Sequence, residues 1–230
     1  MSGILFIISA HSGSGKSTLV AGLRGYVKDL EFSVSYTTRA PRGSEQDGRE
    51  YHFTTREEFE RMIAADGFLE YAEVFDKYYG TAKSVLVDAA RRGNDILLDI
   101  DVQGERQVKQ KMPDAVSIFV LPPSRAELES RLRKRSISEN VEPAVILRRL
   151  DEARREIEKY PNYDYILVND HLEQSLDQLV AIVLGERARR SGEPLAPDQK
   201  QYLDAAEKCL KSRMELEIKG ILDSFSFPRA

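Results

Sequence analysis

The run Ala10-His-Ser-Gly-Ser-Gly-Lys-Ser-Thr18 has the residue types and spacing to hold a nucleotide's phosphates. Gly13 and Gly15 can take backbone angles that a Cβ forbids, so successive N–H groups can turn inward around an anion. A helix starting directly after them adds partial positive charge at the same place. In such a loop Lys16 reaches the β- and γ-phosphates and the Ser17 hydroxyl ligates Mg²⁺. His11, Ser12, Gly13, Ser14, Gly15, Lys16, Ser17 and Thr18 therefore form the expected nucleotide cradle. The full motif has Gly where this chain has Ala10, a small residue that fits.

A second set of polar groups follows. Ser35-Tyr-Thr-Thr-Arg-Ala-Pro-Arg42 places Arg39 and Arg42 behind hydroxyls, and Tyr51 and Tyr79-Gly-Thr81 come after. Guanidinium forks and phenol hydroxyls hold a phosphate in fixed orientation, which argues for a second anion site. The competing reading is that both arginines are ordinary solvated surface charges. Asp99 and Asp101 end the buried run Ile96-Leu-Leu-Asp-Ile-Asp101. A carboxylate there sits at the ligand edge of an open α/β sheet, where an acid can orient a Mg²⁺ shell.

Elements must position these groups. Apolar runs at 4–8, 96–100, 116–121 and 165–168 read as buried parallel strands. Leu19, Leu23 and Val27, Leu128 and Leu132, and Ile146, Leu150 and Ala153 recur at helical spacing between them. The alternation gives an α/β fold, a parallel sheet flanked by helices. The runs at 32–36, 50–54 and 69–75 alternate at period two, so an inserted β-rich lobe is expected, with a helix near 56–65. Two helices joined by a polar loop at 136–143 are expected within an arginine-rich lid at 125–159. A linker is expected at 186–197, and Leu203, Ala206, Leu210, Met214, Ile218 and Ile221 mark an amphipathic helix beyond it. That helix would pack on the core or on a partner subunit, giving a candidate homo-oligomer contact.

With 230 residues, of which 41% are hydrophobic, the chain can bury one large core. A net charge of −4 argues against nucleic acid as a partner. Cys209 is the lone cysteine, which excludes an internal disulfide and suits a reducing cytoplasm. No apolar run approaches the ~20 residues of a membrane span. The N-terminal apolar run is too short for a secretory segment and is better used as the first strand.

Ser35-x-Thr-Thr-Arg-x-Pro-Arg42, Gly48-Arg-Glu-Tyr-His-Phe53, Phe68-Leu-Glu-Tyr71, Tyr78-Tyr-Gly-Thr81 and Leu98-Asp-Ile-Asp-Val-Gln-Gly104 follow the phosphate loop in order. Together they resemble the guanylate kinases over about residues 4–185. The resemblance implies a P-loop NTPase-like domain at 1–185, with core segments 1–34, 93–124 and 160–185. It implies a GMP-binding lobe at 35–92, the lid at 125–159 and a helical extension at 198–230. The implied activity is transfer of the γ-phosphoryl group of ATP to GMP, and to dGMP, with Mg²⁺, in purine nucleotide recycling. The GMP phosphate would sit on Ser35, Arg39, Arg42, Tyr51 and Tyr79, and guanine would be read by Glu70, Thr81 and Asp101 with Ser35 shared. Guanine's N1–H and 2-amino group are adjacent donors that one carboxylate can accept, which suits Glu70.

By the same resemblance Asn169 faces the ATP base, Ser17 and Asp99 serve the metal, and Lys16, Arg39, Arg135 and Arg149 screen the reacting phosphates. The lid departs from the family pattern, because Ser136-Ile-Ser-Glu-Asn140 follows the first lid arginine and the gap to Arg149 is long. Arg131 and Arg148 therefore remain alternatives. Three rival readings differ in class. A non-catalytic binding module would lack a working Gly15-Lys16-Ser17. A kinase for a ribose bisphosphate would not need Glu70, Thr81 and Asp101. A GTPase switch would need an Asn-Lys-x-Asp motif, which is absent.

Overall fold

In the computed structural model, which describes residues 3–74, 76–139 and 143–226, the chain begins with strand β1, Leu5–Ser9, buried throughout. Helix α1, Lys16–Tyr26, follows the phosphate loop. The chain then divides into two compact units, residues 1–7 with 29–116 and residues 8–28 with 117–230, so the division falls inside β1.

The first unit holds two sheets. In one, β2 (Leu30–Phe32) and β7 (Asp95–Asp99) pair in parallel, Leu30 opposite Asp95, and the strand order runs β2-β7-β1. Leu5, Ile7, Leu69, Ile96, Leu98 and Val108 form its core cluster. Each such side chain removed from water stabilises the unit by roughly 1.5–3 kcal/mol before chain entropy is counted. The second sheet has the order β4-β3-β6-β5, with β3 Tyr36–Thr37, β4 His52–Phe53, β5 Phe68–Val74 and β6 Lys77–Ala82. Helix α2, Arg56–Ala64, starts at Thr55, whose side chain accepts from the Glu58 N–H. Helices α3, Ser84–Arg92, and α4, Val102–Lys111, complete the unit.

The period-two reading of 32–36 as one strand is corrected here. Residues 30–32 belong to the parallel sheet and only Tyr36–Thr37 to the second one, because Leu30 is apolar enough to be buried beside β7. Strand β6 was not anticipated. Phe75, in the expected run 69–75, lies outside the described residues.

In the second unit the order is β1-β8-β9, with β8 Val116–Leu121 and β9 Tyr165–Val168 paired in parallel. Phe119 stacks on Tyr163 with ring centroids 4.7 Å apart. The segment expected to form a lid holds two helices, α5, Arg125–Glu139, and α6, Pro143–Ile157. Most of the polar loop expected at 136–143 is therefore helical, since no breaker occurs before Pro143, which suits a first helical position; residues 140–142 lie outside the described ones.

Helix α7 runs Leu172–Ser191, through the first half of the expected linker. Gly185 does not end it. A Cβ there would lie 3.2 Å from Ala206 Cβ, so the glycine permits a close helix crossing, whereas Gly192 (φ 69°) supplies the stop. Beyond it come two helices rather than one, α8 (Pro197–Lys208) and α9 (Glu215–Phe225), with a 3-10 turn at Lys211–Arg213 between them. Of the apolar stripe, Ala206, Ile218 and Ile221 are buried within their own chain, and Leu203, Leu210 and Met214 are half-buried. No helix among the described residues is long and apolar enough to cross a membrane.

Candidate active site

The phosphate loop is built by local geometry. Gly13 (φ 92°) and Gly15 (φ 88°) both lie in the left-handed region that favours glycine. Between them Ser14 is buried, and its hydroxyl lies 2.9 Å from His11 Nδ1. Burial, reinforced by the Lys16 charge, lowers the His11 imidazole to about 4, so the ring is neutral near pH 7. Lys16 opens α1 half-buried, with Ser17 and Thr18 exposed beside it and Ser12 exposed before it.

Asn169, just past β9, is buried and donates from Nδ2 to the Ser14 carbonyl at 2.7 Å. A Cβ on Gly15 would lie 2.2 Å from that nitrogen. The amide expected to face a nucleotide base also braces the loop backbone. Arg135 is exposed near the middle of the lid segment and Arg149 is half-buried on α6. The alternatives Arg131 and Arg148 form i,i+4 ion pairs with Glu127 at 2.8 Å and Glu152 at 3.1 Å.

The first unit gathers the other group. Strand register sets Tyr36 opposite Gly80 and Glu70 opposite Thr81, on neighbouring strands β3, β6 and β5. Ser35 Oγ consequently comes within 3.4 Å of Thr81 Oγ1. A register shift between Phe68 and Glu70 marks a bulge, a device that re-aims side chains beside sites. Glu70 is only 4% exposed. Burial, and next the charge of Asp101, raise its carboxyl to about 7 against the opposing hydrogen bonds from Thr81 and the pull of Lys111.

Helix α4 seals this arrangement. Gln107 Nε2 donates to the Tyr71 carbonyl at 2.7 Å while its Oε1 accepts from the Tyr71 N–H at 3.2 Å, occupying the edge of β5 as a strand would. Lys111 donates to the Leu69 carbonyl. Asp101 caps α4, its Oδ1 accepting from the Gln103 and Gly104 N–H groups at 3.0 and 2.8 Å. The residue expected to read guanine therefore has one oxygen committed to the helix. Asp99 ends β7 exposed.

Arg39 is buried, and its NH1 and NH2 donate to Glu45 at 2.9 and 3.1 Å. That fork, reinforced by the Arg42 N–H at 2.8 Å, holds Glu45 below the usual carboxylate range. The guanidinium lies 5.2 Å from the Tyr51 ring, and Tyr51 meets Tyr79 edge-on at 5.9 Å. Arg39, Tyr51 and Tyr79 are thus together, with Arg42 exposed at their margin.

The sequence reading passed over Glu45, Gly104 and Gln107. Gly104 carried a signal, because glycine inside a helix costs about 1 kcal/mol and is retained for a packing reason. Glu45 and Gln107 carried none, being polar residues in polar segments.

A family model described as guanylate kinase matches residues 2–186. The chain belongs to the guanylate kinase family. The guanylate kinase of Koribacter versatilis is 60% identical over 225 residues, covering 98% of this chain and 97% of that one. A guanylate kinase from Methylococcus capsulatus is 50% identical over 185 residues, 80% of this chain and 89% of its own. The crystal structure of guanylate kinase from Anaplasma phagocytophilum matches with a TM-score of 0.65 at 34% identity, covering 80% of this chain and 86% of that chain. The mostly parallel sheet flanked by helices is the P-loop NTPase-like fold shared with that guanylate kinase.

Proposed function

We propose that the two groups of residues divide the reaction of the guanylate kinase family, transfer of the γ-phosphoryl group of ATP to GMP, between them. His11 to Thr18 hold the ATP phosphates through inward N–H groups, the α1 terminus and Lys16. Ser35, Arg39, Arg42, Tyr51 and Tyr79 take the GMP phosphate, and Glu70 with Thr81, Ser35 and Asp101 reads guanine. The observation that carries this reading is the buried Glu70 carboxylate, aligned by Thr81 and flanked by Asp101. Guanine offers two adjacent donors to such an acceptor. Adenine, with an acceptor at N1 and no 2-amino group, would leave it unpaired, which costs orders of magnitude in selectivity.

In the reaction a phosphate oxygen of GMP attacks the γ-phosphorus, and the bond to the β,γ-bridging oxygen breaks to release ADP. The attacking oxygen is already deprotonated, so positioning and charge screening by Lys16, Arg39, Arg135 and Arg149 replace a general base. The exposed Ser17 hydroxyl is a hard oxygen donor that would suit Mg²⁺, and the Asp99 carboxylate, exposed in the other unit, is a donor of the same kind. Among the described residues no cluster of three or more His, Cys, Asp or Glu could hold a metal alone. Held there, the ion would supply charge neutralisation for the transferring group. The same reading includes dGMP as a second acceptor and a cytoplasmic location.

The test is ADP release from Mg-ATP with GMP, dGMP, AMP, UMP and ribose 1,5-bisphosphate, beside a Lys16→Ala control. Turnover with GMP and dGMP alone, lost in the control, supports the reading. Turnover with the sugar phosphate, or none with any acceptor, overturns it.

A further inference from the structure

The family match ends at residue 186, yet the chain continues as α8, the 3-10 turn and α9. This extension is woven into the second unit. The Ile166 N–H donates to the Cys209 carbonyl at 2.8 Å and the Lys211 N–H to the Asp164 carbonyl at 3.1 Å, so residues 209–211 pair along β9. Helix α9 then packs against both lid helices, α5 and α6. Its inward stripe, Ile218, Ile221 and Phe225, is buried, while Leu216 on another face is 88% exposed.

The contact with α5 is also polar. Ser224 Oγ accepts from the Arg125 N–H, the first of α5, at 3.0 Å and donates to the Ile221 carbonyl at 2.6 Å. The first four N–H groups of a helix have no partner within it. Here Ser124 Oγ serves the Glu127 N–H at 3.2 Å, and a residue from the extension serves Arg125. One and two turns along α5, Leu128 and Leu132 abut the phosphate loop. A Cβ on Gly13 would lie 2.9 Å from Leu128 Cδ1 and 3.1 Å from Leu132 Cδ2.

We infer that α9 is a positioning element for ATP: Phe225, Ile221 and Ser224 fix the first turns of α5, and α5 in turn fixes Gly13. The inference rests on the second unit holding ATP. Its GMP counterparts, Ser35 to Thr81, lie in the other unit and should be indifferent to α9.

The experiment compares full-length protein with Phe225→Ala, Phe225→Leu, Ser224→Ala and a chain ending at Met214. In each, the KM for ATP, the KM for GMP and amide exchange across Arg125–Leu132 and the phosphate loop are measured. Phe225→Ala is expected to raise the ATP KM about tenfold and speed exchange in α5, with the GMP KM unchanged within about twofold and Phe225→Leu restoring most of the loss. Ser224→Ala should give a shift of about two- to fivefold in the same direction. A uniform drop in kcat with both KM values unchanged would mean that α9 only stabilises the fold. Unchanged exchange in α5 with an unchanged ATP KM would also overturn the inference. Should the truncated chain fail to fold, the point variants decide. Absence of GMP-dependent ADP release in the unaltered protein would instead sink the functional reading itself.

Discussion

Gly104 and Glu70 share one space: a Cβ on Gly104 would lie 2.6 Å from Glu70 Oε2 and 3.1 Å from its Cδ. The carboxylate can lie beside Thr81 only because the facing turn of α4 carries no side chain. The neighbouring backbone of α4 is held to β5 by Gln107, one turn further on, so little relaxation is open to it. Gly104→Ala should therefore push the Glu70 carboxyl aside. The expected result is a GMP KM raised at least about tenfold with the ATP KM unchanged, read from steady-state kinetics. Equal changes in both constants would show a general defect.

If Glu70 reads guanine as proposed, its ionisation ties GMP recognition to pH. Its folded-state value, about 7, lies above the ordinary 4.5, chiefly through burial. The folded protein thus binds more protons than the unfolded chain between these values, so stability falls as pH rises from about 4.5 to about 7. GMP favours the ionised form, because both donors of guanine seek an acceptor. Affinity for GMP should rise from pH 6 to pH 8, with protons released on binding. Calorimetry in buffers of different ionisation enthalpy measures that release, and Glu70→Gln should reduce it and remove Glu70's share of the pH slope of stability.

The same substitution addresses selectivity. Glutamine presents an NH₂ where guanine presents donors, so Glu70→Gln should lower kcat/KM for GMP by about 10²-fold or more while ATP affinity holds. A loss shared equally by both nucleotides would assign Glu70 to the fold.

Asn169 separates bracing from base contact. Its Nδ2 donates to the Ser14 carbonyl. Asn169→Asp replaces that donor with an anion facing a carbonyl, and Asn169→Ala merely removes it. The aspartate should raise the ATP KM more than the alanine does, by about tenfold against about threefold. A base-contact role alone would instead alter the preference among ATP, GTP and ITP.

Arg148 and Arg131 lie in ion pairs along their own helices. Arg149→Ala should cut kcat by about 10²-fold, and Arg148→Ala by less than about threefold.

What could be read from sequence was short in range. Strand, glycine loop and helix at 5–26 follow from neighbours: apolar residues in a run, glycines where φ is positive, and a Lys-Ser-Thr helix start. Arg39, Tyr51 and Tyr79 could be grouped because their spacing matches a known order of motifs. Burial of Glu70, however, required a bulge in β5 and a glycine in α4, 34 residues apart along the chain. Without the order of motifs, the sequence favours Glu70 as an exposed strand carboxylate. The Arg39–Glu45 fork, the Asn169 brace across 155 residues and the Ser224 cap across 99 are likewise tertiary. Polar partners of this kind leave no periodic trace, because a hydrogen bond needs only one donor and one acceptor brought together. The sequence by itself therefore determined which chemistry the chain carries, through local backbone freedom and the order of motifs. Tertiary packing decided which carboxylate is buried, which amide braces the loop and which helix holds the lid, because those depend on contacts that only the closed core brings into reach.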